Sequence, residues 1–186
     1  MFNSTFVFDF DPSDRIEPGA YDFVGFATHE IGHALGFISG VDILDLNSPP
    51  IGGPFAANQF TFVSALDLYR YSDLSLTSGV IDFTADTRAK SFSIDGGATF
   101  LHEFATGRNF GDGQQAGHWK DNLGIGLMDP TGAQGESRVI GSRDLEAFDV
   151  IGWNAVPEPT GSTLLGGGFA GLVGLAMRRR AVKASA

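Results

Sequence analysis

His29-Glu30-Ile31-Gly32-His33 reads H-E-x-x-H. On a helix the two histidines stand at i and i+4, so both imidazoles project from one face and can share a Zn²⁺ ion. Glu30 sits beside them, where its carboxylate reaches a metal-bound water without taking a coordination position. Zinc lowers the pKa of such a water, and the glutamate takes its proton as the water attacks a carbonyl. A catalytic zinc has three protein ligands and one open position. The candidates for the third ligand are His118 in Gly117-His118-Trp119-Lys120-Asp121, His102 or Glu103 in Leu101-His102-Glu103-Phe104, and Asp42 or Asp45. The chain has no cysteine, which excludes a thiolate site, a disulfide framework and a cysteine nucleophile.

These residues need elements to hold them. Residues 21–38 are apolar with few breakers and predict a buried helix carrying the motif, with Gly36 near its end to turn the chain away. Phe6-Val7-Phe8-Asp9-Phe10 predicts a strand. The following Asp9, Asp11 and Asp14, broken by Pro12, predict a solvated turn; Ca²⁺ is the alternative, without the glycine and closing glutamate of an EF-hand. Apolar spacing at Phe62, Ala65, Leu66 and Tyr69 predicts a second helix over 60–71, with Asp67 and Arg70 as a surface pair. Tyr69 is a candidate oxyanion donor there, against the simpler reading of an amphipathic helix. Strand-like pieces at 80–84 and 91–94 precede a turn at Asp95-Gly96-Gly97, and Asp112-Gly113 marks another; either turn could take Ca²⁺ instead. Residues 105–135 read as loop, and Leu145–Val150 as a short amphipathic helix. The pattern is α+β.

The chain has 186 residues, 26 of them glycine, with 42% apolar and 18% charged residues, enough for one domain with a core. Its net charge of −10 argues against a nucleic-acid partner, which needs clustered Lys and Arg. The charge is uneven: of 22 acids and 12 bases, residues 156–186 hold one acid and four bases, leaving the body at −13. The chain therefore divides into a body, 1–155, and a tail, 156–186.

The tail reads Pro157-Glu158-Pro159, an uncharged apolar stretch over 160–177, then Arg178-Arg179-Arg180. Eighteen residues span roughly 27 Å as a helix, just enough to cross a hydrocarbon core, with the arginines on the cytoplasmic side. This order resembles the PEP-CTERM sorting signal of Gram-negative bacteria. The resemblance implies a protein exported to the envelope, outer surface or extracellular matrix, held briefly in the inner membrane by its tail and processed by an exosortase. The first basic residue is Arg15, so no cationic signal peptide opens the chain, and a longer N-terminal part is expected.

His33-Ala34-Leu35-Gly36-Phe37 resembles the metzincin motif, but the position of that motif's compact third histidine holds Ser39, a poor zinc ligand. His118 follows His33 by 85 residues (118 − 33), and Leu127-Met128-Asp129-Pro130 lies ten residues beyond it (128 − 118). In this the chain resembles the leishmanolysin-like metallopeptidases, where an insertion separates the H-E-x-x-H-A-L-G-F helix from a third histidine in a His-Trp context, followed by a Met-turn. The resemblance extends through Leu145–Asp149 and Ile151-Gly152-Trp153 and covers about residues 21–153. It implies a zincin fold of metzincin type, with His29, His33 and His118 on zinc, Glu30 as general base and Met128 beneath the metal. Unlike that family the chain lacks cysteine, and only 28 residues precede His29, so its N-terminal sheet is expected to be truncated. The function implied is a zinc endopeptidase acting on extracytoplasmic proteins or peptides. The alternatives are a non-catalytic, zinc-stabilised surface or matrix protein and an inactive fragment of a longer protease.

Overall fold

The computed structural model of the chain describes residues 5–47, 53, 59–154 and 156. Two compact units divide it, Met1–Asn154 and Ala155–Ala186. Pro157, Glu158, Pro159, the apolar stretch and the arginines at 178–180 lie outside the described residues. No helix among the described residues is long and apolar enough to cross a membrane.

The first unit mixes short strands and helices. Strand β1 (Phe8–Asp9) pairs in parallel with β2 (Tyr21–Asp22), which runs directly into helix α1 (Phe23–Ala34). Helix α2 (Val41–Asn47) follows. A three-stranded antiparallel sheet then forms in the order β3 (Arg70–Tyr71), β4 (Lys90–Phe92), β5 (His102–Phe104), with α3 (Asp73–Thr77) inserted after β3 and α4 (Ser142–Val150) last. Phe92 stands opposite His102 in the β4–β5 register, and the turn between these strands uses Gly96 and Gly97 at φ of 72° and 90°.

Helix α1 begins where the Asp22 carboxylate accepts the Gly25 N–H at 2.8 Å, and ends before Gly36, whose φ of 110° turns the chain away. The motif helix is shorter than its apolar run, and it is not buried all round. Val24, Ile31 and Leu35 are exposed, and the buried face consists of Gly25, His29 and Gly32. Glycine allows that close approach. A Cβ on Gly32 would lie 2.6 Å from the Met128 sulfur, and one on Gly25 would lie 2.6 Å from Cβ of Arg138.

The second helix expected over 60–71 is not formed; only a single 3₁₀ turn, Leu66–Tyr69, stands there before β3. The reason is Asp67. Its carboxylate is buried and accepts the Gly40 and Ser64 N–H groups, both at 2.8 Å, and the Ser39 hydroxyl at 2.5 Å, tying this segment to the end of α1. Asp67 and Arg70 are consequently not a surface pair: both are 1% exposed, with Arg70 Nε 3.8 Å from the carboxylate. Burial lowers the guanidinium pKa, against the acids around it. The piece at 80–84 is not a strand, and residues 91–94 contribute only the end of β4.

The core forms around Trp119, whose ring lies 5.0 Å from Phe104, 5.1 Å from Phe37 and 5.7 Å from Phe92. Leu66, Ile125, Met128 and Ala147 complete it. Such aromatic contacts each add about 0.5–1.5 kcal/mol beyond the area they bury.

Candidate metal centre

His29 and His33 project from successive turns of α1, with ring planes at 87°. His118 reaches them from a segment without helix or strand of its own. That segment is nonetheless fixed along the free edge of β5: Ala105 N–H donates to His118 O at 3.1 Å, and Lys120 N–H donates to Glu103 O at 2.9 Å. The three Nε2 atoms form a triangle with sides of 3.0, 3.1 and 3.3 Å.

These separations fall within hydrogen-bond range, yet the rings have no proton to share. Each Nδ1 faces a backbone carbonyl: His33 to Phe37 O at 2.7 Å, His29 to Leu127 O at 2.9 Å, His118 to Gln115 O at 3.2 Å. A carbonyl only accepts, so in neutral His33 and His118 the hydrogen sits on Nδ1 and a lone pair on Nε2. His29 Nδ1 also has Arg138 Nη2 at 3.2 Å, and its shorter contact with Leu127 O favours the same tautomer. Burial, with the neighbouring histidines, lowers the His118 pKa to about 3, and burial lowers that of His29 as well. Three lone pairs thus converge on one point, an arrangement that repels itself until a cation joins it. Zinc–nitrogen bonds of 2.0–2.1 Å in a tetrahedron set the donors about 3.3–3.4 Å apart, close to the triangle observed. Among the described residues, this trio is the one group of three or more metal-ligating side chains close enough to share an ion. Its donor set fits zinc.

The other candidate ligands are engaged elsewhere. His102 stacks on Phe92 and lies 3.3 Å from the Glu146 carboxylate, with Trp119 against its ring. Glu103 pairs with Lys120 at 2.9 Å. Asp45 holds the 109–110 loop by accepting the Asn109 N–H at 2.8 Å and the Phe110 N–H at 2.9 Å. Asp42 accepts the Ala116 N–H at 2.6 Å and the Gly117 N–H at 3.0 Å, fixing the loop just before His118; burial raises its pKa. Tyr69 donates to Val150 O at 3.3 Å, packed against the core. Asp9 accepts the Asp11 and Glu17 N–H groups and Asp11 the Ser13 N–H, so these loop carboxylates close their own turn. Asp95 and Asp112 likewise accept N–H groups of their own loops, from Thr99 at 2.8 Å and Thr106 at 3.1 Å.

Met128 is fully buried, its sulfur against α1 at Gly32. The turn that carries it is fixed by a residue the sequence did not single out. The Asp144 carboxylate, fully buried at the start of α4, accepts the Leu127 N–H at 2.7 Å, Gly141 N–H at 2.8 Å, Trp119 Nε1–H at 2.9 Å and Met128 N–H at 3.2 Å. Leu127 O is the acceptor that orients His29, so Asp144 acts on the histidine through the turn. Arg138 was also missed: its Nη2 donates to the same Leu127 O at 2.9 Å. A carboxylate or guanidinium that serves backbone groups has no spacing signature, so no sequence signal pointed to either residue.

The trio opens into a cleft of about 250 Å³ lined by Glu30, Phe26, Gln114, Pro130 and Arg138. Glu30 is solvent-exposed on α1, next in sequence to His29. A second hollow of about 180 Å³ adjoins the trio on the side of His33, Ile38 and Asp42. Compared with protein-family models, curated proteins and solved structures, the chain matches none.

Proposed function

We propose that the chain is a zinc-dependent endopeptidase, with His29, His33 and His118 as ligands and Glu30 as general base. The observation that carries this reading is the Nε2 triangle with every Nδ1 committed to a carbonyl, opening onto a cleft that contains Glu30. When bound, zinc supplies Lewis acidity, polarising the scissile carbonyl and making water a nucleophile near neutral pH. The chain's own residues do the rest. Glu30 lines the cleft without being one of the three converging donors, so its carboxylate is free to accept the proton of the attacking water and pass it to the leaving amine. The carbonyls of Leu127, Phe37 and Gln115 keep the three rings in the tautomer that presents Nε2. Tyr69 donates to Val150 O against the core, and Pro130 stands where some metzincin Met-turns have a tyrosine. Neither residue supplies an oxyanion donor, so that stabilisation would fall to a metal held by His29, His33 and His118.

The tail is proposed as a PEP-CTERM-type sorting signal, on the order Pro157-Glu158-Pro159, apolar stretch, Arg178–Arg180. Export, exosortase processing and extracytoplasmic protein substrates follow from that proposal.

The test is cleavage of an unfolded protein such as casein by the full chain, with and without a chelator, beside Glu30→Gln. Chelator-sensitive cleavage that falls at least about a hundredfold in Glu30→Gln, with zinc content unchanged, supports a peptidase. Full zinc binding without cleavage supports the non-catalytic surface protein.

A further inference from the structure

Arg138 forms one wall of the same cleft and is 8% exposed. Arg70, Lys90 and Arg138 are the buried lysines and arginines among the described residues. Arg70 has Asp67 and Lys90 has Asp86 as carboxylate partners, but no described carboxylate lies within ion-pair distance of the Arg138 guanidinium. Carbonyls hold it instead. Nη2 donates to Leu127 O at 2.9 Å and Asp129 O at 2.6 Å and lies 3.2 Å from His29 Nδ1, and Nη1 donates to Thr131 O. Among the described residues the Nε–H has no acceptor. One N–H of Nη1 is left over from the five donors of the fork. The flat cation lies over the Phe26 ring, 4.9 Å from its centre.

A guanidinium taken out of water and held by carbonyls and an imidazole nitrogen, with no carboxylate in ion-pair distance, is costly until an anion joins it. Among the described residues Glu30 is the one carboxylate lining the cleft, and the peptidase reading assigns it to the water. A zinc ion held by His29, His33 and His118 would add two positive charges beside it. With zinc bound the cleft would be cationic within a body of net charge −13. We infer that this cleft selects peptides that place a carboxylate beside the scissile bond, on the wall formed by Phe26, Pro130 and Arg138, with Arg138 as the specificity-determining residue. The inference rests on the peptidase reading and names its substrate class. The carboxylate comes either from an aspartate or glutamate side chain or from the peptide's own C-terminus.

The experiment measures binding rather than turnover. Zinc-loaded full-length Glu30→Gln chain is titrated into three fluorescent peptides of otherwise equal sequence. One carries a central glutamate and an amidated end, one a central glutamine and an amidated end, and one is truncated so that its free carboxylate falls at the central position. Glutamate, or the free terminus, is expected to bind at least about tenfold tighter than glutamine, as for a hydrogen bond to a charged group. Which of the two peptides gains identifies the source of the carboxylate. Adding Arg138→Gln should bring the ratio to about one, and Arg138→Lys should keep part of it. A purely structural role for Arg138 would weaken all three peptides equally. Equal binding in the Glu30→Gln parent overturns the inference, whether or not Arg138→Gln folds, and so does a preference that survives Arg138→Gln. Casein cleavage by the unmodified chain is scored separately, so cleavage without carboxylate preference overturns only this inference, and preference without cleavage only the peptidase reading.

Discussion

Replacing Asp144 with asparagine changes one oxygen to an NH₂ group and leaves the shape of the side chain intact. In the native structure Oδ1 accepts from Trp119 Nε1 and Met128 N, and Oδ2 from Leu127 N and Gly141 N, at 2.7–3.2 Å. Whichever way the amide turns, its NH₂ faces two N–H donors that lose their acceptor where water does not reach. Hydrogen bonds to a charged group contribute about 1.5–3 kcal/mol each, so two lost bonds put the expected destabilisation at about 3–5 kcal/mol, allowing for relaxation. That is a large part of the total stability of an ordinary domain, about 5–15 kcal/mol. Leu127 O orients His29, so loosening this turn should also weaken zinc binding about 10–100-fold, as for other outer-shell partners of metal ligands. Urea denaturation of the full chain at fixed zinc reads the first effect, and competition with a chromogenic chelator the second. A midpoint and zinc affinity equal to those of the parent chain would refute the assignment of Asp144 as the residue that fixes the Met128 turn.

Two further substitutions test the packing and the charge around the site. Gly32→Ala should destabilise the chain by up to about 2 kcal/mol: the new Cβ meets the Met128 sulfur at 2.6 Å, an overpacking cost of about 1–3 kcal/mol that exceeds the helix-propensity gain of about 1. A rise in the thermal midpoint of Gly32→Ala would show that Met128 does not press on α1. Asp129 has its carboxyl raised to about 6, chiefly by burial, with Asp121 beside it. A raised pKa means that the stability present below 3.8 is lost as pH rises through 6. The advantage of the parent chain over Asp129→Asn should therefore shrink between pH 4.5 and 7.5 in urea midpoints; a difference independent of pH contradicts the placement of that carboxyl.

His29 and His33 were legible in the sequence because helical periodicity alone puts i and i+4 on one face. His118 was singled out only through its likeness to a known motif order, since nothing local shows that residues 118–120 lie along β5. The expected helix over 60–71 failed for a physical reason. Its apolar spacing was real, but Asp67 and Arg70, expected to face water, are both buried, and the Asp67 carboxylate draws the segment onto Gly40 and Ser64. Glycine in a helix reads from sequence as a weakness. At Gly25 and Gly32 it is what lets Arg138 and Met128 approach the motif helix. Asp22, Asp42 and Asp144 were illegible as positioning groups for one shared reason: each serves backbone N–H groups, which every residue type but proline supplies.

The most direct test of the central claim is zinc bound per full-length chain, measured by mass spectrometry of metals after dialysis, for the parent, His118→Ala and His102→Ala. The three-histidine site predicts close to one equivalent in the parent, retention in His102→Ala, and loss in His118→Ala. A folded parent without zinc, or loss in His102→Ala with retention in His118→Ala, would contradict it.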